Sequence, residues 1–453
     1  MLKPYESYKK TNIPWLKEVP SHWELKRGKH IFENKKTINK DNIYTDVLSL
    51  TLKGVIDNNG KKPIGLSPKD YATYQLFNKN DLVFKLIDLE NLKTSRVGLV
   101  KRQGIMSSAY IRLVQRNENS NSKYFYFQYY DLYLRAVFNG LGAGVRSTMS
   151  ASDLMGINLV IPPRTEQDQI VKYLDWQTSK INTLIVAKKK EIKLLKEQKQ
   201  AVINKAVTKG LDDSVSMKDS GIEWLGEVPK HWESRFLFQI AKEQGLSNKG
   251  MISDNLLSLS YGRIINKNIN KTDGLLPISF ESYQIVKNGN IILRLTDLQN
   301  DHKSLRVGLV TQKGIITSAY TCLKCQSNVH SQFLYNLLHS YDICKLFYGM
   351  GGGVRQSIGY KDISKIICFC PPLEEQQAIV TYLEEKTALI DKAISVIEKE
   401  IELLSEYKTS LISSVVTGKI DVSAVVVPKF DIIEESMEDE EIEEIEENIE
   451  EEC

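Results

Sequence analysis

No cysteine occurs before residue 322 of this 453-residue chain; the six lie at 322, 325, 344, 368, 370 and 453. A disulfide framework spanning the molecule is therefore excluded, as suits a reducing compartment. Cys322-Leu-Lys-Cys325, with Cys368 and Cys370 further on, has zinc-ligand spacing. No run approaches the roughly 18 apolar residues of a membrane span. The opening M-L-K-P-Y-E-S-Y-K-K lacks the apolar stretch of a signal peptide, so a cytoplasmic location without a membrane partner is expected. There is no G-x-x-x-x-G-K-[ST] phosphate loop, which argues against an ATP motor. The pairs Pro162-Pro163 and Pro371-Pro372 lack the preceding Asn or Asp and the following aromatic of an amino-methyltransferase. Glu33-Asn34-Lys35 and Glu384-Glu385-Lys386 match a nuclease fragment, but such tripeptides arise by chance in a chain with 60 basic and 57 acidic residues.

Basic residues are absent from 431–453, which holds 14 carboxylates, so the remainder carries a net +17 although the whole chain is only +3. A basic body followed by an acidic tail suits a polyanionic partner.

What is present is a duplication. W-L-K-E-V-P-S-H-W-E at 15–24 returns as W-L-G-E-V-P-K-H-W-E at 224–233, a displacement of 209 residues. In the same order, R-V-G-L-V at 96–100 returns at 306–310, and G-I-M-S-S-A-Y at 104–110 as G-I-I-T-S-A-Y at 314–320. G-L-G-A-G-V-R at 140–146 returns as G-M-G-G-G-V-R at 349–355, and P-P-R-T-E-Q at 162–167 as P-P-L-E-E-Q at 371–376. This is one duplicated unit, not a short-period solenoid. It also tests the zinc idea. Cys322, Cys325, Cys368 and Cys370 correspond to Arg112, Gln115, Leu159 and Ile161, so a duplicated metal site is excluded and buried, reduced strand cysteines are expected.

Each copy begins with a mixed region, 1–163 and 217–372, where short apolar runs such as Leu82-Val83-Phe84 predict strands. Aromatic and aliphatic residues from Tyr124 to Phe138 and from Phe333 to Phe347 recur at helical spacing and are read as core. A long helix follows, in 164–216 and again in 373–421. Its seam in the first copy is Ile170, Leu174, Ile181, Leu184, Leu195 and Val202; in the second it is Ile379, Leu383, Ile390, Ile397, Leu404 and Leu411. Lys188 and Glu191 interrupt the first seam, Lys386 and Glu400 the second, so neither is a continuous zipper. Gly210 and Gly418 mark the helix ends. The short stretch around 209–223 favours antiparallel over parallel pairing of the helices, which would set the two α/β domains at opposite ends of a rod about an approximate two-fold axis. Residues 422–453 form an acidic tail expected to be disordered.

His22 and His231, each beside a tryptophan, are read as packed residues of a docking turn, because no nucleophile pairs with either. The loops Gly140–Arg146 and Gly349–Arg355 resemble phosphate cradles: successive glycines expose backbone N–H groups, and Arg146 or Arg355 adds a positive fork. A flexible turn is the alternative. Base readout is expected where a shared frame diverges, L-S-L-T-L-K-G at 48–54 against L-S-L-S-Y-G-R at 257–263, which nominates Lys53, Tyr261 and Arg263. Arg96, Arg306, Lys85 and Arg294 are expected as phosphate contacts or structural ion pairs.

Taken together, K-D-S-G-I-E-W-L-G-E-V-P-K-H-W-E at 218–233, P-P-L-E-E-Q-Q-A-I-V at 371–380 and L-I-S-S-V-V-T-G-K-I-D at 411–421 resemble the specificity (S) subunits of Type I restriction-modification systems. The resemblance covers nearly everything except the tail. It implies two target-recognition domains, each reading half of a split site in double-stranded DNA, held apart by an antiparallel helical pair that docks two modification (M) subunits. It further implies no cofactor on this chain, since S-adenosylmethionine binds the modification subunits, and nuclease and translocase supplied by restriction (R) subunits. A coiled-coil adaptor without DNA sequence readout is the alternative; the basic, arginine-bearing domains disfavour it.

Overall fold

The computed structural model describes residues 3–52, 54–58, 70–87, 89, 96–117, 119–142, 148–268, 277, 279–298, 305–350 and 357–433. They cluster into two compact units, one from residues 3–188 with 399–433 and the other from 189–398. Among the described residues the α-helices are α1 Ser122–Leu134, α2 Ala151–Gly156, α3 Arg164–Lys209, α4 Leu237–Ile240, α5 Ser331–Ile343, α6 Tyr360–Ile363 and α7 Leu373–Val416.

In the first unit an antiparallel sheet runs in the order Phe32–Asn34, Ile111–Gln115, Leu82–Lys85, Arg96–Leu99. A hairpin of Leu48–Thr51 and Gly54–Asp57 packs near its edge, and Glu24–Arg27 pairs with Asn158–Ile161 just ahead of α3. The second unit repeats this plan. Its sheet runs Ala241–Glu243, Thr321–Cys325, Ile291–Leu293, Val307–Leu309, its hairpin is Leu257–Ser260 with Arg263–Asn266, and Glu233–Phe236 pairs with Ile367–Cys370 ahead of α7. The architecture is mixed α/β: two β-rich domains with the long helices α3 and α7 packed together.

The aromatic stripe of α1 is core: Tyr124, Phe125, Phe127 and Tyr129 are all buried, as are Phe333, Leu337 and Tyr341 of α5. The shared R-V-G-L-V motif has a steric reason. A Cβ on Gly98 would stand 2.6 Å from Leu50, and one on Gly308 would stand 2.5 Å from Leu259. Only glycine at that sheet position lets the hairpin lie against the sheet. Cys322, Cys368 and Cys370 are buried in strands, and burial pushes the Cys322 thiol up to about 12, far from a reactive thiolate.

The first unit contains the start of α3 and the end of α7, and they run antiparallel. Asn182 accepts from Lys408 Nζ at 2.9 Å and Lys188 pairs with Glu400 at 2.9 Å, so partner numbers fall as helix numbers rise. In the second unit, Lys199 on the later part of α3 pairs with Asp391 of α7 at 2.6 Å. Ile170, Leu174, Ile181, Ile379, Leu383, Ile397 and Leu411 are buried, while Leu195, Val202, Ile390 and Leu404 are half-buried. Leu184 is the exception. It is 51 % exposed, whereas Ile185 is 3 % exposed and takes the inward position. Ile181 and Ile185, four residues apart, are both buried, so the inward row passes through Ile185 and a reading at spacing three slips by one to Leu184. The second helix ends at Val416, where Gly418 turns the chain at φ 75°.

Candidate nucleic-acid interface

Both hairpins end in two-residue loops. In the second, Tyr261 and Gly262 have φ of 42° and 80°, the doubly left-handed geometry of a type I′ turn, whose twist matches paired strands. Gly262 meets this at no cost, whereas Tyr261 does not; a non-glycine residue held there stores roughly 1 kcal/mol of backbone strain. The half-buried Tyr261 ring and the exposed Arg263 thus share one tip. Beneath it, Tyr335 donates its hydroxyl to the Gly262 carbonyl at 3.3 Å, and His339 lies alongside. Burial depresses His339 to about 4, leaving it neutral near pH 7, so the side-chain charge at the tip is that of Arg263. The equivalent first-unit tip is Leu52-Lys53; Leu52 is exposed, while Lys53 lies outside the described residues. The same holds for Arg146 and Arg355, and Arg96 is described only as backbone in its strand.

Arg306 requires a correction. Sequence reasoning placed it among possible DNA contacts, but it is 0 % exposed. Its guanidinium donates to the carbonyls of Arg294, Thr296 and Asp297 and to the Tyr348 hydroxyl, at 2.8 to 3.3 Å. A buried cation satisfying four oxygens holds its own loop and offers nothing to phosphate.

The tryptophan boxes anchor each domain to a helix start. Trp23 Nε1 donates to Glu166 Oε1 at 3.0 Å, and His22 Nε2 meets Glu166 Oε2 at 2.9 Å. Trp232 and His231 hold Glu375 at 3.0 and 2.8 Å. The neighbouring glutamine completes the clamp: Gln167 donates to the Pro162 carbonyl and accepts from the Asn121 N–H, and Gln376 does the same with Pro371 and His330. The repeated P-P-x-x-E-Q motif is therefore a docking element, whose partner residues sequence reasoning did not identify. Each box also receives the end of the other long helix. In the first unit Gly418 lies against Pro20 and Trp23, where a Cβ would overlap the proline ring, and in the second Gly210 lies against Trp232.

The two domains differ in one buried pair. In the first, Arg112 Nε binds Asp81 at 2.7 Å with both side chains buried. Burial pushes the Asp81 carboxyl above the usual carboxylate range, against the opposing pull of the Asn78 N–H and Arg112. In the second, the corresponding residues are Asn290 and Cys322, both buried and uncharged. Cys322 is thus the neutral replacement of an arginine.

Residues 20–194 match the family model described as Type I restriction modification DNA specificity domain. The chain is 26 % identical over 369 residues to the type I restriction enzyme MjaVIII specificity subunit of Methanocaldococcus jannaschii, covering 77 % of this chain and 80 % of that one. It is 27 % identical over 447 residues to the provisionally assigned MjaX specificity subunit of the same organism, covering 92 % and 97 %. Among solved structures it is similar to a chain from work on complex assembly and conformational transition of the type I R-M system. That match has a TM-score of 0.62 at 13 % identity, covers 89 % of this chain and 99 % of that one, and supports the fold alone. No described helix is long and apolar enough to cross a membrane. In family model and in curated relatives the chain is similar to the specificity subunits of Type I restriction-modification systems, the non-catalytic subunits on which the DNA specificity of such a system rests.

Proposed function

We propose that residues 1–163 and 217–372 each read one half of a split site in double-stranded DNA, and that the helices of 164–216 and 373–421 hold the readers apart and dock two modification subunits. Restriction subunits join that assembly, and S-adenosylmethionine is held by the modification subunits, not by this chain. The observation that carries this reading is a common frame with different tips. Both hairpins rest on a sheet glycine, yet the sequence at one tip is Leu52-Lys53, of which the structure describes Leu52, and at the other Tyr261-Gly262 followed by Arg263. Side chains at a rigid tip can reach base edges, whereas phosphate contacts only position the protein. A base-resolved methylation map of DNA from cells making this chain with its modification partner tests it. A split motif supports the reading; an uninterrupted one overturns it.

Tip and cradle are expected to behave differently. Tyr261→Ala or Arg263→Ala should relax the motif at one half-site, each lost base contact being worth about 1–3 kcal/mol of discrimination. Arg146→Ala and Arg355→Ala should weaken binding with little change of motif and make the salt slope shallower by about one each. Filter binding across a salt series, with methylation mapping, separates the two classes.

The docking face is proposed on α7. Leu389, Val396 and Leu403 follow at seven-residue intervals and are 64 %, 50 % and 63 % exposed. Seven residues return a helix nearly to the same face. An exposed apolar stripe of this kind marks a protein contact. Leu389→Glu with Leu403→Glu should lower affinity for the modification subunit at least tenfold, since burying either charge costs more than the ~1.4 kcal/mol of that factor. Size-exclusion chromatography of the mixed subunits reads the outcome, and an unchanged complex places the interface elsewhere.

A further inference from the structure

In each unit one helix carries a pair of rings, one turn apart, at the same two places. In α5 they are Tyr335 and His339, with centroids 5.7 Å apart and planes at 36°; in α1 they are Tyr126 and Tyr130, 5.5 Å apart and stacked at 19°. The second unit shows what such a pair bears. Gly262 is buried on top of it: besides the hydrogen bond from the Tyr335 hydroxyl, a Cβ on Gly262 would stand 3.4 Å from His339 Cε1 and 3.1 Å from Leu305 Cβ. The turn can sink no lower. Its floor is itself fixed, since Phe333, Leu334, Leu337, Leu338 and Tyr341 on the other face of α5 are buried in the core of this unit. Leu305 directly precedes Arg306, whose guanidinium is held by four oxygens. Burial, and after it the Lys199 charge, keeps the His339 ring neutral; burial also raises the Tyr335 hydroxyl, against the pull of the Arg263 charge, so it remains a donor. A rigid seat accounts for Tyr261 as well. A residue other than glycine keeps a φ of 42° only where its surroundings over-determine it, and the seated Gly262 beside it supplies that constraint.

We infer that Tyr335 and His339 are positioning residues of the second domain: without touching DNA, they set the height and angle at which Tyr261 and Arg263 are presented, and so take part in choosing the half-site. Directional contacts to base edges tolerate displacements of only about 0.5 Å, so a change in the floor is felt at the tip. The first domain carries Tyr130 where the second carries His339, and tip and floor therefore differ together. This inference rests on the reading role proposed above for the hairpin; the seating itself does not.

Two measurements separate the seating from the reading. Amide hydrogen exchange of the full chain without DNA reports the first. His339→Ala, and the milder Tyr335→Phe, should speed exchange in residues 257–266 about three- to tenfold, as loss of one hydrogen bond or its equivalent in packing does, and leave the first hairpin unchanged. Equal rates overturn the seating. A methylation map from cells that also make the modification partner reports the second. His339→Ala should lower preference at least about threefold at the bases that Arg263→Ala affects and leave the other half-site intact, whereas a role confined to stability lowers methylation of the whole site evenly. Added to a variant that already lacks both tip side chains, Tyr261→Ala with Arg263→Ala, it should alter the motif no further, because it acts through them. A further change there, or an intact second half-site in His339→Ala when the tip-less variant relaxes it, overturns the positioning role. If the tip-less variant itself keeps the motif, the reading role of the hairpin fails and the positioning with it, while the exchange result on the seating stands.

Discussion

Replacing Arg112 by cysteine is expected to destabilise the first unit by about 3–5 kcal/mol, because it leaves the Asp81 carboxylate buried without its partner. The second copy indicates the rescue. There the same two positions are Asn290 and Cys322, and the Asn290 side chain still accepts the turn N–H of Lys287 at 2.7 Å, as Asp81 accepts that of Asn78 at 2.6 Å. Asp81→Asn combined with Arg112→Cys should therefore return most of the loss, since the turn keeps its acceptor and no charge remains to desolvate. Urea denaturation of the two single variants and the double variant forms a mutant cycle, and a double variant no better than Arg112→Cys would contradict the account. The single Arg112→Cys variant should also depend on pH. The folded Asp81 carboxyl is already raised by burial, and loss of Arg112 raises it further. The unfolded chain then gives up that proton first, so stability falls as pH rises from the unfolded value near ~4 through the folded one, and acidification recovers it. The double variant should lack this dependence.

Residues 1–216 expressed alone are expected to form a homodimer that, with modification subunits, directs methylation to an interrupted palindrome built from the first half-site. In the full chain the last turns of α3 bury Ile203, Ala206 and Val207 against the second unit, and Trp23 receives the end of α7. The fragment lacks both partners. Its α3 ends in Gly210, which carries a positive φ and already sits against an equivalent tryptophan, Trp232. A second copy supplies that end to Trp23, and the exchange closes as a two-fold pair. Light scattering should give twice the fragment mass. A monomeric fragment, or a dimer that methylates the asymmetric full-length motif, would overturn the antiparallel exchange.

The long helices were legible because a seam of fixed spacing bounded by glycines survives any tertiary context. The position of Leu184 was not, since Leu184 and Ile185 fit the local spacing equally well and the partner helix chooses between them. The role of Glu166 stayed hidden for another reason: its partners lie 143 and 144 residues away. The only trace in the sequence was that Glu166 and Glu375 keep the same distance from their tryptophans. Arg306 was misread because a cation repeated in both copies suits a buried, fully bonded group as well as a phosphate contact. Where two copies share a glycine frame and differ at its tip, as at Tyr261 and Arg263, the divergence is what nominates those residues for the proposed readout. Which bases such tips would prefer, if they read DNA as proposed, depends on groove-edge geometry that no residue pattern encodes.

The two anchoring sites, Trp23 with His22 on Glu166 and Trp232 with His231 on Glu375, are built from the same groups at nearly the same distances. Either domain therefore carries the plug for either socket. Recombination between the two halves of such a gene, or between this gene and a relative, can exchange a whole domain at these boundaries without creating a new packing problem at the anchor. A crossover between codons 81 and 112 is different: it separates Asp81 from Arg112 and strands a charge in the core. The tolerated breakpoints thus coincide with the limits of a domain, and intact modules transplant more readily than blends of two.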